Sequence, residues 1–213
     1  MKKKICIILI ALVSLAVFGK QSQAMIINGG FENPVVVGSS VFGSIPGWTA
    51  SGPGVEIQNG GIAGDPNGGV QLAELDSSGN SGISQAIATA SGAWYNLSFF
   101  YSGAPYSNIS TNGIMINWDG GFLDEIKEHN GTNNTKWTAH SYLVMATSTT
   151  TSLEFLATGT SDGKGGYLDD VSLELEAVPT PEPTTLLLMG IGIVGLIGGA
   201  ARKKLTKNAV VKS

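Results

Sequence analysis

The chain has 213 residues, 42% of them hydrophobic and 13% charged, with a single cysteine. Its formal net charge of −4 hides a segregation: all 16 acids lie between Glu32 and Glu182, where only Lys127, Lys136 and Lys164 oppose them, which leaves that stretch at −13. Such a stretch repels phosphate backbones and forgoes the counterion release that drives nucleic-acid affinity, so no nucleic-acid partner is expected, while divalent cations and neutral sugars stay open.

The chain opens on Lys2, Lys3 and Lys4, an apolar run over 5–18, then Gly19, Lys20 and the step Ser22-Gln23-Ala24. A basic start, a short apolar run and small residues at a cleavage step are the order of a secretory signal peptide. Lys20 and Gln21 interrupt the run well short of a bilayer span. Cleavage is expected after Ala24, which makes 1–24 the signal and Met25 the first mature residue. Cys6 lies inside that signal, so the mature domain is expected to have no thiol and no disulfide; packing, or a metal, must hold it together.

Residues 25–177 have the length of one domain, rich in Gly, Ser, Thr and Asn, with no amphipathic helical pattern. Period-two alternation marks strands at Tyr95, Leu97, Phe99 and Tyr101; at Ile114, Ile116 and Trp118; at Leu153, Phe155 and Ala157; and at Val171, Leu173 and Leu175. Each strand would bury one face, with Gly- and Asn-rich turns between them, so the expected fold is all-β: a two-sheet antiparallel β-sandwich of jelly-roll type. The stretch 123–129 reads as a loop, and Gly163-Lys164-Gly165-Gly166 as a turn before the last strand. Its glycines lack the longer frame of a phosphate-binding loop.

Past the domain, 178–183 is an extended Pro- and Thr-rich linker ending in Pro181-Glu182-Pro183. The uncharged segment 184–201 is expected to form a transmembrane helix, and 202–213, with Arg202, Lys203, Lys204 and Lys207, a basic tail that stays cytoplasmic. Gly195 and Gly199 stand at a spacing that lets two such helices pack, though a Gly-rich tail meets that pattern by chance.

Two resemblances follow from these residues. Ile26-Ile27-Asn28-Gly29-Gly30-Phe31-Glu32-Asn33-Pro34, then Ile45-Pro46-Gly47-Trp48, Val55-Glu56, Gly82-Ile83-Ser84-Gln85, Tyr95-Asn96-Leu97-Ser98-Phe99 and Leu168-Asp169-Asp170-Val171-Ser172-Leu173 occur in the order of the DUF642-like, choice-of-anchor group of galactose-binding-like jelly rolls, and more distantly of carbohydrate-binding modules. The Pro-Glu-Pro, span and basic end together resemble a PEP-CTERM sorting signal. That resemblance implies an exosortase-type membrane transpeptidase as partner, secretion across the inner membrane of a Gram-negative bacterium with transient anchoring there, and a final place at the cell surface or in the extracellular matrix.

Carbohydrate-binding modules of the resembling type often hold a structural Ca²⁺ near these motifs, which implies Glu32 and Asp169 as ligands here, with Asp170 beside them. By alternation Asp169 would share the inward face of Val171 and Leu173, where an unpaired carboxylate is costly and a hard cation would neutralise it. The alternative is that both carboxylates accept backbone amide hydrogen bonds.

Aromatic residues suited to stacking on sugar rings include Tyr106, among loop residues, and Trp94, which alternates against the Tyr95 face. Trp48 and Trp118 read as core. No enzyme signature stands out: His129 and His140 are the only histidines, without a metalloprotease spacing or a nucleophile elbow. Asp124, Glu125 and Glu128 form a local acidic patch that reads as solvated charge rather than a glycosidase pair. The expectation is a non-enzymatic, exported surface or matrix protein that binds carbohydrate such as bacterial exopolysaccharide. The alternative is a non-binding coat or floc component, glycosylated on stretches such as Thr147 to Ser152.

Overall fold

The computed structural model of the chain describes residues 25–176 and Ile191. The chain divides into two units, Met1–Glu176 and Ala177–Ser213, and every strand belongs to the first. The expected signal 1–24, linker 178–183, span 184–201 and tail 202–213 fall outside the described residues, apart from Ile191, which is helical. Among the described residues no helix is long and apolar enough to cross a membrane.

The strands in chain order are β1 (Ser39–Phe42), β2 (Ser44–Ile45), β3 (Trp48–Ser51), β4 (Val55–Asn59), β5 (Gln71–Glu74), β6 (Gly82–Ala88), β7 (Trp94–Ser102), β8 (Gly113–Trp118), β9 (Gly121–Lys127), β10 (Thr138–Met145), β11 (Thr150–Thr158) and β12 (Tyr167–Leu175). They form two six-stranded sheets, β1-β4-β5-β12-β7-β10 and β2-β3-β6-β11-β8-β9. All pairings between these strands are antiparallel. The expected two-sheet sandwich is therefore the observed one.

Alternation explains the core. Tyr95, Leu97, Phe99 and Tyr101 of β7 are buried and face Ile114 and Ile116 of β8 and Leu153 and Phe155 of β11 within one cluster. Phe99 meets Phe155 edge to face at 5.0 Å, and Trp48 tilts against Phe31 at 5.7 Å and Phe155 at 6.2 Å. Each such buried side chain contributes about 1.5–3 kcal/mol of transfer free energy. Trp48 and Trp118 are core residues as expected, and both satisfy their indole N–H, on the carbonyls of Asn28 (3.1 Å) and Met145 (2.8 Å). Because the strands pair with one another and enclose this core within residues 31–173, residues 25–176 carry what they need to fold by themselves.

The amino-terminal motif is irregular rather than extended, and polar side chains fasten it. Ile27 is bracketed by the Gln85 amide, donating its N–H to Oε1 at 2.8 Å and accepting from Nε2 at 3.0 Å. Gln71 does the same further on, accepting from Val36 N–H at 2.6 Å and donating to the carbonyls of Phe31 and Pro34. A buried amide that answers two backbone groups replaces the strand ladder this segment lacks.

Two expectations are corrected. The stretch 123–129 is mostly strand: β9 pairs with β8 through an Asp119-Gly120 turn in which both residues have positive φ, the geometry a two-residue hairpin demands. As an edge strand, β9 buries only Ile126 and carries charges that protect an open edge, so its alternation is masked. Asp169, in turn, does not share a face with Val171 and Leu173. Leu168 pairs with Tyr101 and Asp169 with Phe100, but Ser172 pairs with Ser98, so β12 carries an extra residue there, and Asp170 takes φ 49°. This bulge turns Asp169 to the outer face of its sheet, where it is buried beneath the loop before β5.

Candidate functional site

The outer face of the first sheet carries a row of partners across four strands: Glu56 of β4 opposite Glu74 of β5, Glu74 opposite Tyr167 of β12, and Tyr167 opposite Ser102 of β7. The inward residues of the same strands, Val55, Ile57, Ala73 and Leu168, are core. This row and Gln58 are thus what period two leaves on the other side. Over it opens a cleft of about 710 Å³, floored by Glu56, Gln58, Glu74 and Tyr167 and rimmed by Tyr106 and Lys164. Tyr167 also packs with Leu72 and Ala104 in a small apolar cluster, against which Ala63 and Trp137 lie, so the floor has an apolar wall beside its acids.

The walls are loops held by side-chain hydrogen bonds. Asp65 in the loop before β5 donates its N–H to Asn134 Oδ1 at 2.8 Å and accepts from Asn134 Nδ2 at 2.7 Å, while its carbonyl accepts the Trp137 indole N–H at 2.9 Å. Buried Asn130 ties the far wall to the Gly103 carbonyl at 2.9 Å. The Asn and Thr residues that read as turn punctuation therefore rigidify a concave surface, which lowers the ordering cost of binding.

The electrostatics of the floor are unusual. Glu74 is 4% exposed, and its carboxyl is pushed up from 4.5 to about 8, first by burial, then by the Glu56 charge beside it, with the Gly165 amide pulling it down and Asp76 adding to the rise. It accepts from Gly165 N–H at 3.2 Å and from Gln58 Nε2. Tyr167 is pushed well above the usual phenol range by burial and then by Glu74 and Glu56. Buried Gln58 Oε1 and Ser77 Oγ, both on residues lining the cleft, have no hydrogen-bond partner among the described residues.

Of the sequence candidates, Tyr106 stands on the cleft rim, 71% exposed, with its backbone held left-handed (φ 54°) by donation to the Thr132 carbonyl at 3.0 Å. Trp94 is 40% exposed at the opposite end of β7 from Ser102 and does not line the cleft; its strand partner is Met145. The acidic patch does not form one site. Asp124 accepts from Tyr142 OH at 2.8 Å, Glu125 pairs with Lys127 at 3.1 Å and Thr158, and Glu128 lies 3.5 Å from His140 Nε2. Glu56, Gln58, Glu74 and Tyr167 escaped the sequence reading. The signal that could have found them is the polar half of Val55-Glu56-Ile57-Gln58 and Gln71-Leu72-Ala73-Glu74.

Glu32, Asp169 and Asp170 come together around a glycine pair. A Cβ on Gly68 would stand 2.5 Å from Asp170 Oδ2 and one on Gly69 2.1 Å from Glu32 Oε1, so a side chain at either position would have to displace a carboxylate. Glu32 Oε1 accepts the N–H groups of Val70 (2.8 Å) and Gln71 (3.0 Å). Asp169 Oδ2 accepts from Asn67 (2.8 Å) and Gly68 (3.2 Å), and its Oδ1 from Asp170 N–H (2.7 Å). Burial first, and Asp170 further down, push the Asp169 carboxyl up to about 7 against the pull of these amides. Glu32 Oε2 and Asp170 Oδ1 accept no hydrogen bond from the described residues. The donor set is thus hard oxygen of the kind Ca²⁺ takes, although no group of three or more His, Cys, Asp or Glu among the described residues meets the geometry of a metal site.

Comparison with known proteins matches residues 179–204 to the PEP-CTERM protein-sorting motif, the mark of a secreted, exosortase-processed surface protein. No curated protein matches the chain. Among solved structures the sandwich is similar to two cyclases from Fischerella sp. TAU. The Stig cyclase Fisc in complex with (3Z)-3-(1-methyl-2-pyrrolidinylidene)-3H-indole is 16% identical, over 74% of this chain and 100% of that one, at TM-score 0.54. A cyclase in complex with 4-(1H-indol-3-yl)butan-2-one is 15% identical, over 74% and 99%, at TM-score 0.55. It is also similar to TmCBM61 in complex with β-1,4-galactotriose, at 20% identity over 71% of this chain and 99% of that one, TM-score 0.52. At these identities the likeness is one of fold: the chain combines a PEP-CTERM sorting motif with a two-sheet sandwich similar in fold to the two cyclases and to TmCBM61.

Proposed function

We propose that this is an exosortase-sorted protein of the Gram-negative cell surface or extracellular matrix whose sandwich binds carbohydrate, without turnover, in the cleft over Glu56, Gln58, Glu74 and Tyr167. The observation that carries the reading is the cleft itself: concave, walled by fixed loops, lined by hydrogen-bonding side chains, with Tyr167 in its floor and Tyr106 exposed on its rim. Sugar rings offer apolar faces to such aromatics and hydroxyls to such polar groups. A fold similar to that of TmCBM61 in complex with β-1,4-galactotriose adds support.

The reading includes a structural Ca²⁺, which Glu32, Asp169 and Asp170 would hold beside the cleft wall. It would supply charge neutralisation to a carboxylate that is fully buried and take no part in contacting sugar.

A glycan array probed with soluble Met25–Thr180, including polymer from the source organism, tests this. Saturable binding that weakens in Tyr106→Ala is the expected result. Absence of binding across the array would overturn the reading and favour a coat component, for which intact mass of the native protein would then reveal attached modification.

A further inference from the structure

Glu56 and Glu74 face each other directly across β4 and β5 on the outer face of the sheet, Glu74 buried and Glu56 half-buried. Opposed like charges destabilise a sheet pair unless something offsets them. No described cation does: among the described residues Lys127 pairs with Glu125, and His140 lies against Glu128. Lys164 lines the rim but pairs with neither glutamate. Beside them Gln58, only 4% exposed, spends its Nε2 on Glu74 and leaves Oε1 without a partner. The floor is therefore rich in acceptor oxygens with no cation among them, and a proton on Glu74 is what offsets the pair in the free protein.

Resting on the reading that this cleft binds carbohydrate, we infer that its floor is a seat for a primary ammonium group, so the preferred glycan carries free, unacetylated amino sugars. An ammonium presents three donors and one positive charge and no acceptor, which answers Glu56, Glu74 and Gln58 Oε1 together. An N-acetyl group removes the charge and two of the donors. A uronate brings further negative charge to an acidic floor, and a neutral hydroxyl forms no ion pair with it.

Binding is coupled to protons. The groups facing Glu74 are Glu56 from β4, Tyr167 from β12, Asp76 just past β5, and Asp65 and Lys164 from the flanking loops. With its carboxyl pushed up to about 8, Glu74 is protonated at neutral pH in the free protein. An arriving ammonium favours the carboxylate, so the proton leaves to solvent as the ligand seats.

Calorimetric titration of Met25–Thr180 with an oligomer of β-1,4-linked glucosamine, its fully N-acetylated counterpart and spermidine tests the inference, run at pH 6.5 in buffers of different ionisation enthalpy. The glucosamine oligomer should bind at least about tenfold tighter than the acetylated one, as expected for loss of a charged hydrogen bond, and with net proton release. Glu56→Gln and Glu74→Gln, checked for folding by circular dichroism, should each abolish that preference, and Glu74→Gln should abolish the proton release. Equal affinity for the acetylated oligomer, or an undiminished preference in both variants, would overturn the inference. Spermidine binding as tight as the oligomer would overturn its sugar component. If neutral or acetylated glycans bind in the cleft without amine preference, the inference falls and the carbohydrate reading stands; if no glycan binds, both fall.

Discussion

Glu74→Gln offers a test of the floor that needs no ligand. In the folded protein the carboxyl titrates near 8, against 4.5 for an unperturbed one. Between those values folding takes up a proton, so the contribution of Glu74 to stability is fully present below pH 4.5, declines as pH rises, and is gone once pH passes about 8. Each tenfold change in proton affinity is worth about 1.4 kcal/mol, so the loss across the window from 4.5 to about 8 is on the order of 5 kcal/mol. Glutamine keeps the shape and remains neutral throughout. Urea unfolding followed by tryptophan fluorescence should find wild type and variant within about 1 kcal/mol at pH 4.5 and the variant more stable by roughly 5 kcal/mol at pH 9. Asp169, raised to about 7 by burial, bends both curves alike and cancels in the difference. Curves that stay parallel from pH 4.5 to 9 would show that Glu74 is not held protonated and would refute the reasoning.

Three further outcomes are expected. Tyr106→Ala should leave the melting temperature unchanged, because the ring is 71% exposed, yet weaken glycan binding about fivefold, the worth of one aromatic contact; Trp94→Ala, outside the cleft, should leave binding as it is. Gly69→Ala should cost about 2 kcal/mol or more in urea unfolding, because φ is +62° and the new methyl would fall on Glu32 Oε1. Chelation with EGTA should lower the melting temperature by about 5 °C if Ca²⁺ is seated at Glu32, Asp169 and Asp170, whereas superimposable melting curves would leave the amide hydrogen bonds as the whole support of these carboxylates.

The sandwich was legible because strands such as β7 bury one face along most of their length, and a strict alternation such as Tyr95, Leu97, Phe99 and Tyr101 survives in the sequence. Edges were not: β9 has one partner and one buried side chain, Ile126, so solvent-facing charge hides its period. A bulge is invisible to a period-two count, which assumes every residue advances the pleat; the extra residue at Asp170 therefore reversed the expected face of Asp169. Convergence of Glu32 with Asp169 and Asp170 came from motif order, since no local pattern joins residues so far apart. The cleft floor was missed for a different reason. Glu56, Glu74 and Tyr167 belong to three strands that are distant in sequence, and only the register aligns them.

The central claim is that the cleft takes carbohydrate, and amide chemical-shift mapping of ¹⁵N-labelled Met25–Thr180 during titration with oligosaccharides from the source organism's exopolysaccharide tests it most directly. Saturable shifts centred on Glu56, Gln58, Glu74, Tyr106 and Tyr167 are predicted. Shifts confined to the exposed apolar stripe of Trp94, Leu143 and Met145, or no shift with any glycan, would contradict the account.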